Sequence, residues 1–495
     1  MMLGRVAGLL LLTLLSGCLP IPNVRVELDV APPSYRVPLE EVEVEYVVRP
    51  GFDEQHTPSE LNRTAYLRYS IDPQPETLVL LMPGIFGGAA SFDGLARQLV
   101  ASTPGLEVWA IDRRSNLLED RSAMVRALRT GDPEVALDYY IEGWGRPGGF
   151  TPLAFDEVPY LRYWGIDVHL RDLHRLILDA RARAPGVILG GHSLGAALVS
   201  LYAAYRVGAG DEPAYGYQFI DGLVLLDGAL GRTGAFARPD IGFAVGPLRL
   251  APSVSELESG DGAPYSNNMI SPRYQIEREV AAILARLEPD ADAPTQLTDI
   301  PMSNRALVGV RNDDEYGVVP IFSASLGHAV GAAFDGNLGA VLLGGLDGVR
   351  SKSVAGLAPG AERVTWDPGD PARERTDLAS YVRSWTLEET NFAEWYFPLR
   401  LALEMTLLDP ALEDADGFLP NRLVPVPTLA LGAGRGLLQT LGGMRTYANV
   451  RYGSPITAYV LPGLTHIDIV SARANPAVPI LQRWIAFFTG GGPGG

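Results

Sequence analysis

The chain has 495 residues and a formal net charge of −18. Such an acidic surface argues against a nucleic-acid partner and against electrostatic binding to anionic lipid. Cys18 is the only cysteine, so no disulfide can form within the chain, and we expect no metal site because the six histidines are scattered.

The N-terminal residues are typical of an export signal. Arg5 precedes an apolar run that is too short to span a membrane and that ends in small residues. The last four residues, L-S-G-C at 15–18, resemble the lipobox of bacterial lipoproteins. The resemblance implies a signal peptide over 1–17, a lipid on Cys18, a proline-rich tether over 18–39 and a place in the cell envelope. The alternative is an ordinary export signal.

Alternating and apolar runs predict the first strands of a sheet. Residues 42–48 alternate apolar side chains with glutamates, and residues 65–71 alternate again, as in antiparallel strands. Residues 78–82 and 108–111 are apolar throughout, as in strands covered on both faces. Residues 131–165 are rich in aromatic side chains, which could line a pocket for an apolar substrate or pack against one another.

Ser193 lies in the sequence G-H-S-L-G between an apolar strand-like run and a helix-like run. Gly191 and Gly195 would remove the side chains that clash at a sharp strand-to-helix turn. This context predicts that Ser193 is a catalytic nucleophile. A second serine, Ser325, lies in the similar sequence S-A-S-L-G-H but is not followed by a comparable helix-forming segment. We interpret it as a decoy, a serine that resembles the nucleophile without that role.

The second half of the chain departs from the strand and helix alternation and then returns to it. An apolar strand at 222–226 ends in Asp227, and helical stripes alternate with Pro- and Gly-rich loops afterwards. We predict a core over 40–228, a mainly helical cap over 229–420, the rest of the core over 421–490 and a disordered tail over 491–495. One set of apolar residues at helical spacing in the predicted cap is Ile276, Val280, Ile283 and Leu287.

The order of these parts resembles the α/β-hydrolase superfamily over residues 40–228 and 421–490. The resemblance rests on Pro83-Gly84 after the third strand, the Ser193 turn after the fifth and Thr465-His466 after the eighth. It implies a mostly parallel eight-stranded sheet with helices on both faces and a large cap inserted after the sixth strand.

The same resemblance implies roles for individual residues. His466 would be the general base and Asp227 the acid that orients it. The oxyanion would be bound by the backbone N–H of Leu194 and by that of Ile85 or Phe86.

The identity of the acid stays open at this point. No carboxylate follows the seventh strand at 431–436, where many relatives carry one. Asp313 or Asp314 is the rival to Asp227, because both follow a strand-like run that we interpret as a cap hairpin with an Asn-Asp turn. Asp468 is too near His466 in the sequence to orient its ring easily.

These features predict a lipid-anchored serine hydrolase that cleaves small carboxylic esters, with an apolar acyl group favoured, and that needs no cofactor. A serine at position 193 excludes the relatives with an aspartate nucleophile. A peptidase, a thioesterase or an acyltransferase could use the same triad. A non-catalytic lipoprotein that binds a ligand through its cap is the alternative from another class.

Overall fold

The computed structural model describes residues 30–207, 214–228, 237–238, 242–245, 248–267, 271–316, 323–331, 363–407, 424–439 and 456–489. The predicted signal peptide 1–17, the lipidation site Cys18 and the tail 491–495 lie outside these residues. Within these ranges, no helix has both the length and the apolarity needed to cross a bilayer.

Eight strands form one sheet, in the spatial order β1-β2-β4-β3-β5-β6-β7-β8. β2 is antiparallel to both of its neighbours, and the other neighbouring pairs are parallel. This confirms the predicted mostly parallel eight-stranded sheet. The strands are β1 Glu43–Pro50, β2 Arg63–Ser70, β3 Thr77–Met82, β4 Leu106–Asp112, β5 Gly186–His192, β6 Gly222–Leu226, β7 Thr428–Ala433 and β8 Ile456–Leu461.

Helices cover both faces of the sheet, which is why its central strands are apolar throughout. Along β3, Leu78 and Leu80 contact one helical layer, whereas Val79 and Leu81 contact the other. Successive side chains of a strand point to opposite faces, so both faces must be apolar. The helices are α1 Asp93–Ser102, α2 Ser122–Thr130, α3 Glu134–Leu137, α4 Ile166–Arg183, α5 Leu194–Ala204, α6 Val254–Ser259, α7 Pro272–Leu287, α8 Asn304–Asn312, α9 Leu378–Trp385, α10 Leu399–Leu407, α11 Asp468–Ser471 and α12 Ala477–Thr489.

The segment between β6 and β7 contains α6 to α10 and two small sheets. The three-stranded sheet consists of Ala237–Arg238, Gly242–Val245 and Leu248–Ala251, and the two-stranded sheet of His328–Val330 and Thr365–Asp367. We call this segment the insertion. The predicted stripe lies on α7, where Ile276, Val280 and Ile283 are buried.

One local prediction is wrong. The run before Asp313 is α8, not a strand or a hairpin, and the Ser303 side chain caps it by accepting a hydrogen bond from the Ala306 N–H. A short apolar run fits the residue spacing of a strand as well as that of a helix, and here the N-cap Ser303 favours the helix. The described end of the predicted tether contacts the core: Tyr35 donates to Gln98 of α1 at 2.9 Å, and the Arg36 N–H donates to the Ala101 carbonyl at 2.8 Å.

The aromatic stretch 131–165 packs against the insertion. Tyr140, Phe150 and Trp164 are buried in the same apolar cluster as α7 and α8. The Phe150 and Trp395 rings meet edge to face, with centroids 5.7 Å apart. These rings therefore join the insertion to the core by mutual packing.

Candidate active site

The predicted strand-turn-helix is present at Ser193, between β5 and α5. Ser193 has a φ of 55°, which is unfavourable for any residue with a side chain. A Cβ at Gly191 would overlap the backbone of Gly195, and a Cβ at Gly195 would overlap the Met82 carbonyl. Both glycines are therefore required by the close approach of the chain.

Backbone strain is concentrated around this turn. Four non-glycine residues in the described ranges have a positive φ, and three of them are Phe86, Ser193 and Asp227. They follow β3, β5 and β6, whose carboxyl ends lie side by side because Met82 is paired with Gly191 and His192 with Leu226. Strained backbone persists only where its surroundings over-determine it, and it clusters at functional sites.

The structure brings the predicted base and the predicted acid together. His466 Nδ1 lies 2.6 Å from Asp227 Oδ2, and their side chains are only 2% and 0% exposed. The Asp227 carboxylate also accepts hydrogen bonds from the backbone N–H groups of Ala433 at 2.9 Å, Leu437 at 2.8 Å and Leu438 at 2.9 Å. An ionised carboxylate only accepts hydrogen bonds, so this set of donors suits it. The segment after β7 thus fixes the acid, although it contributes no carboxylate.

The rival acids have other partners. Asp313 accepts hydrogen bonds from the N–H groups of Leu326 and Glu315, and Asp314 forms an ion pair with Arg435. His466 Nδ1 is engaged by Asp227 instead. The geometry therefore favours Asp227 over Asp313 and Asp314.

Asp468 binds the insertion rather than the His466 ring. Its carboxylate accepts hydrogen bonds from the Ser325 hydroxyl at 2.7 Å and from the Thr376 hydroxyl at 2.7 Å. Ser325, the decoy serine, is fully buried in this contact. The loop that carries His466 is thereby attached to the insertion.

His192 connects the Ser193 turn to the His466 loop. Its Nε2 lies 2.9 Å from the His466 carbonyl, and the centroids of the two imidazole rings are 4.3 Å apart. Burial holds the pKa of His192 well below its usual range, so the neutral ring donates its Nε2–H to that carbonyl. Ser193 and His466 line one cavity as a result.

The loop after β3 forms another wall of this cavity. Ile85 and Phe86 line it, and a Cβ at Gly84 would lie 3.0 Å from the Ser193 Cβ. Leu194 is the first residue of α5, where N–H groups have no partner within the helix. These positions agree with the predicted oxyanion donors, whose role stays a prediction.

A buried arginine that sequence reasoning missed holds this loop. Arg113 donates to the carbonyls of Pro83 at 2.9 Å, Gly84 at 2.8 Å and Gly87 at 2.9 Å. The C=O and N–H of a trans peptide point in opposite directions, so the bond to the Gly84 carbonyl turns the Ile85 N–H away from Arg113. The guanidinium thus orients the peptide that carries the predicted donor.

The insertion supplies the remaining walls, and none of its wall residues was predicted. The aromatic side chains of 131–165 are not among the described wall residues of this cavity. The described wall residues are Gly84, Ile85, Phe86, Gly87, Ser91, His192, Ser193, Gln275, Arg278, Trp385, Phe392, Ala393, His466, Ile467 and Val470.

Three carboxylates of the insertion approach one another closely enough to hold a cation. Asp313, Asp314 and Glu374 each offer an oxygen within 4.8 Å of the others. Arg435 already pairs with Asp314, and Arg373 lies 3.3 Å from Glu374. Burial raises the pKa of Asp313 to about 8, so its carboxyl is largely protonated at neutral pH. The cluster therefore has little negative charge left for a metal ion.

The strand order and the site together identify the fold. Ser193 follows β5, Asp227 follows β6 and His466 follows β8, and all three lie at the carboxyl edge of a sheet in which β2 alone runs against its neighbours. The chain has the α/β-hydrolase fold. The order Ser, Asp, His along the chain is also that of α/β-hydrolase enzymes.

Comparison with known proteins gives distant structural likenesses. No family model matches the sequence. No curated protein matches it either. A candidate lipase from Sulfolobus solfataricus is 14% identical with a TM-score of 0.45, and the match covers 94% of this chain and 99% of that one.

Two further solved structures illustrate the range of the likenesses. The peroxisomal α/β-hydrolase Lpx1 from Saccharomyces cerevisiae is 12% identical, with a TM-score of 0.41 and coverage of 92% of this chain and 91% of that one. Epoxide Hydrolase A from Mycobacterium thermoresistibile is 16% identical, with a TM-score of 0.38 and coverage of 90% and 98%. Such remote likenesses say nothing about activity, and the assignment to the α/β-hydrolase fold rests on the topology and site described above.

Proposed function

We propose that the protein is a serine hydrolase that cleaves carboxylic esters through an acyl-enzyme. The observation that carries the proposal is the 2.6 Å contact between His466 Nδ1 and Asp227 Oδ2 at the cavity that Ser193 also lines. A carboxylate on Nδ1 fixes the tautomer in which Nε2 is free to accept a proton.

The reaction would proceed in two halves. The Ser193 Oγ attacks the ester carbonyl while His466 Nε2 takes its proton, and the negative oxygen is bound by the N–H groups of Leu194 and Ile85. Collapse of the intermediate releases the alcohol, which receives the proton from His466. Water then attacks the acyl-enzyme by the same route and releases the acid. Asp227 stabilises the imidazolium formed in each half.

A fluorophosphonate probe tests the proposal. Such a probe reacts with a serine only if the serine is activated, so we expect one label per chain, located at Ser193 by peptide mass spectrometry. Ser193→Ala should stay unlabelled, whereas Ser59→Ala, at an exposed position, should label like the wild type. A folded wild-type chain that takes no label would favour the non-catalytic binding lipoprotein.

The substrate class is tested separately, because a peptidase, a thioesterase or an acyltransferase would label equally well. We expect p-nitrophenyl esters to be turned over faster than the matching anilide and thioester. Preference for the anilide would favour a peptidase. Transfer to an added alcohol in place of hydrolysis would favour an acyltransferase.

We also propose that Cys18 carries a lipid that anchors the protein in the cell envelope. Support comes from the sequence L-S-G-C at 15–18 after an apolar run. Metabolic labelling with palmitate should mark the wild-type chain and not Cys18→Ser, and the variant should leave the membrane fraction. Labelling that persists in Cys18→Ser would contradict the proposal.

A further inference from the structure

Arg278 places a buried cation at the wall of the cavity. It lies on α7 of the insertion and is 8% exposed. Its Nε donates to Asn312 Oδ1 at 3.1 Å, and its Nη2 donates to the same oxygen. Asn312 is neutral, so these contacts orient the guanidinium without balancing its charge.

Other buried arginines of the described chain have acidic partners. Arg113 pairs with Glu394, Arg114 with Asp172 and Arg121 with Glu279. Among the described residues, Arg278 forms no ion pair with any carboxylate. A buried charge is normally paired because its desolvation is unfavourable. The unpaired charge of Arg278 is therefore suited to binding an anionic ligand.

Two rings hold the guanidinium in place. Its central carbon lies 4.6 Å from the Trp385 ring centroid and 5.4 Å from that of Tyr274. Cation–π contact stabilises the position of the group and leaves the net charge unchanged. With Nε and one Nη2 hydrogen directed at Asn312, the remaining N–H donors are on Nη1 and Nη2. That edge of a guanidinium matches the two oxygens of a carboxylate.

Gln275 adds a second unsatisfied group at the same wall. It precedes Arg278 by three residues on α7, so the two side chains project from one face of the helix. Gln275 is 2% exposed, and its Oε1 is buried without a hydrogen-bond partner. A buried carbonyl oxygen without a partner is unfavourable, and because it only accepts hydrogen bonds it would be satisfied by an O–H or N–H donor of the ligand and not by a carboxylate.

We infer that the cavity takes esters that carry a carboxylate, which Arg278 binds. The inference rests on the proposed function, because it concerns the cavity that Ser193 lines. Phe86, Phe392 and Trp385 are apolar walls of the same cavity and suit a short hydrocarbon segment between the ester and the carboxylate. If the carboxylate is on the acyl side, this refines the predicted apolar acyl group to one that ends in a charge.

Matched ester pairs test the inference. For a carboxylate on the acyl side, mono-p-nitrophenyl succinate, glutarate and adipate are compared with the corresponding methyl-capped diesters. For the alcohol side, acetoxybenzoate is compared with phenyl acetate. We expect a preference in kcat/KM of about 10- to 100-fold for the charged member of at least one pair, as for a hydrogen-bonded charge pair. Equal kcat/KM in every pair would overturn the inference.

Variants at position 278 link the preference to the guanidinium. Arg278→Gln should reduce the charged-to-neutral ratio to about 1, and Arg278→Lys should keep an intermediate ratio. Arg273→Gln is the matched control, because Arg273 lies on the same helix but is exposed and paired with Glu277. It should leave the ratio unchanged. A ratio that survives in Arg278→Gln would place the anion site elsewhere and overturn the inference.

A binding experiment separates this inference from the proposed function. In Ser193→Ala, calorimetry should detect glutarate but not glutaramide, and Arg278→Gln in that background should abolish glutarate binding. Ester hydrolysis without a charge preference or glutarate binding would overturn the anion site alone. Arg278-dependent glutarate binding by a wild-type chain that takes no fluorophosphonate label would overturn the hydrolase alone.

Discussion

Arg113 and Glu394 are 281 positions apart and form an ion pair whose side chains are 1% and 0% exposed. The Glu394 N–H donates to the Phe86 carbonyl at 2.9 Å, and Arg113 binds three carbonyls of the loop after β3. The Ser115 hydroxyl donates to the Glu394 carboxylate as well. The insertion and the predicted oxyanion loop therefore fix one another through one buried pair.

Glu394→Gln should lower kcat far more than it changes KM, because the loop would lose the charge partner of the group that orients it. Removing one oxyanion donor lowers kcat by about 10²- to 10³-fold, and we expect about 10- to 100-fold for this indirect change. The same substitution should lower the free energy of unfolding by about 3 kcal/mol, since it leaves a buried charge unpaired.

The control for Glu394 is Glu388→Gln, which removes an exposed partner of Arg129. It should change stability by less than about 1 kcal/mol and leave kcat unchanged. A stable Glu394→Gln protein with the kcat of the wild type would show that the buried pair has no part in positioning the loop.

Asp227→Asn should lower kcat by about 10⁴-fold, because an amide in this place favours the wrong tautomer of His466. Steady-state rates with a p-nitrophenyl ester measure the effect. Asp313→Asn is the comparison, since Asp313 binds the N–H groups of Leu326 and Glu315 and should leave kcat near that of the wild type. The reverse ranking of the two variants would transfer the role of the acid to Asp313.

Gly436→Ala should inactivate the protein, although Gly436 is not among the described wall residues of the cavity. A Cβ at residue 436 would overlap Asp227 Oδ2, so the carboxylate must move away from His466. We expect kcat to fall at least about 100-fold, in the direction of the loss in Asp227→Asn. Gly131→Ala, where the added Cβ meets nothing within 4 Å, should be less stable by about 1 kcal/mol because of its positive φ and keep its kcat. Equal activity of the two variants would contradict the proposed role of Asp227.

The buried His169 should make the protein less stable in acid. Burial lowers the pKa of His169 from 6.5 to about 3, so between these values the unfolded chain binds a proton that the folded chain does not. Stability from this residue is complete above pH 6.5 and is lost as the pH falls, by about 3 kcal/mol at pH 4. Urea unfolding at several pH values measures the loss.

His169→Asn should remove that part of the pH dependence, because the amide nitrogen can replace Nδ1 in its hydrogen bond to the Gly165 carbonyl. His328→Asn, at an exposed position, should leave the acid side of the stability profile unchanged. If His169→Asn and the wild type lost stability in parallel on acidification, His169 would titrate alike in the folded and unfolded chains.

The sequence predicted those parts of the site that local rules determine. β3 is readable because both of its faces are buried, and the Ser193 turn because Gly191 and Gly195 avoid specific overlaps. His466 was found by its place after the last strand. Arg278 and Glu394 could not be found in this way, because their importance comes from contacts made across the fold. α8 was predicted as part of a hairpin because a short apolar run fits the residue spacing of a strand as well as that of a helix.

The order of the three residues along the chain also affects biosynthesis. Asp227 is made before the insertion and His466 after it, and β8 must pair with β7 before the imidazole can reach the carboxylate. Under the proposed mechanism, a nascent chain would hold its alcohol and its acid for about 240 residues without a base. Hydrolytic activity would then begin only after His466 has been made, so a chain interrupted before that point would be harmless to the esters of the cell that makes it.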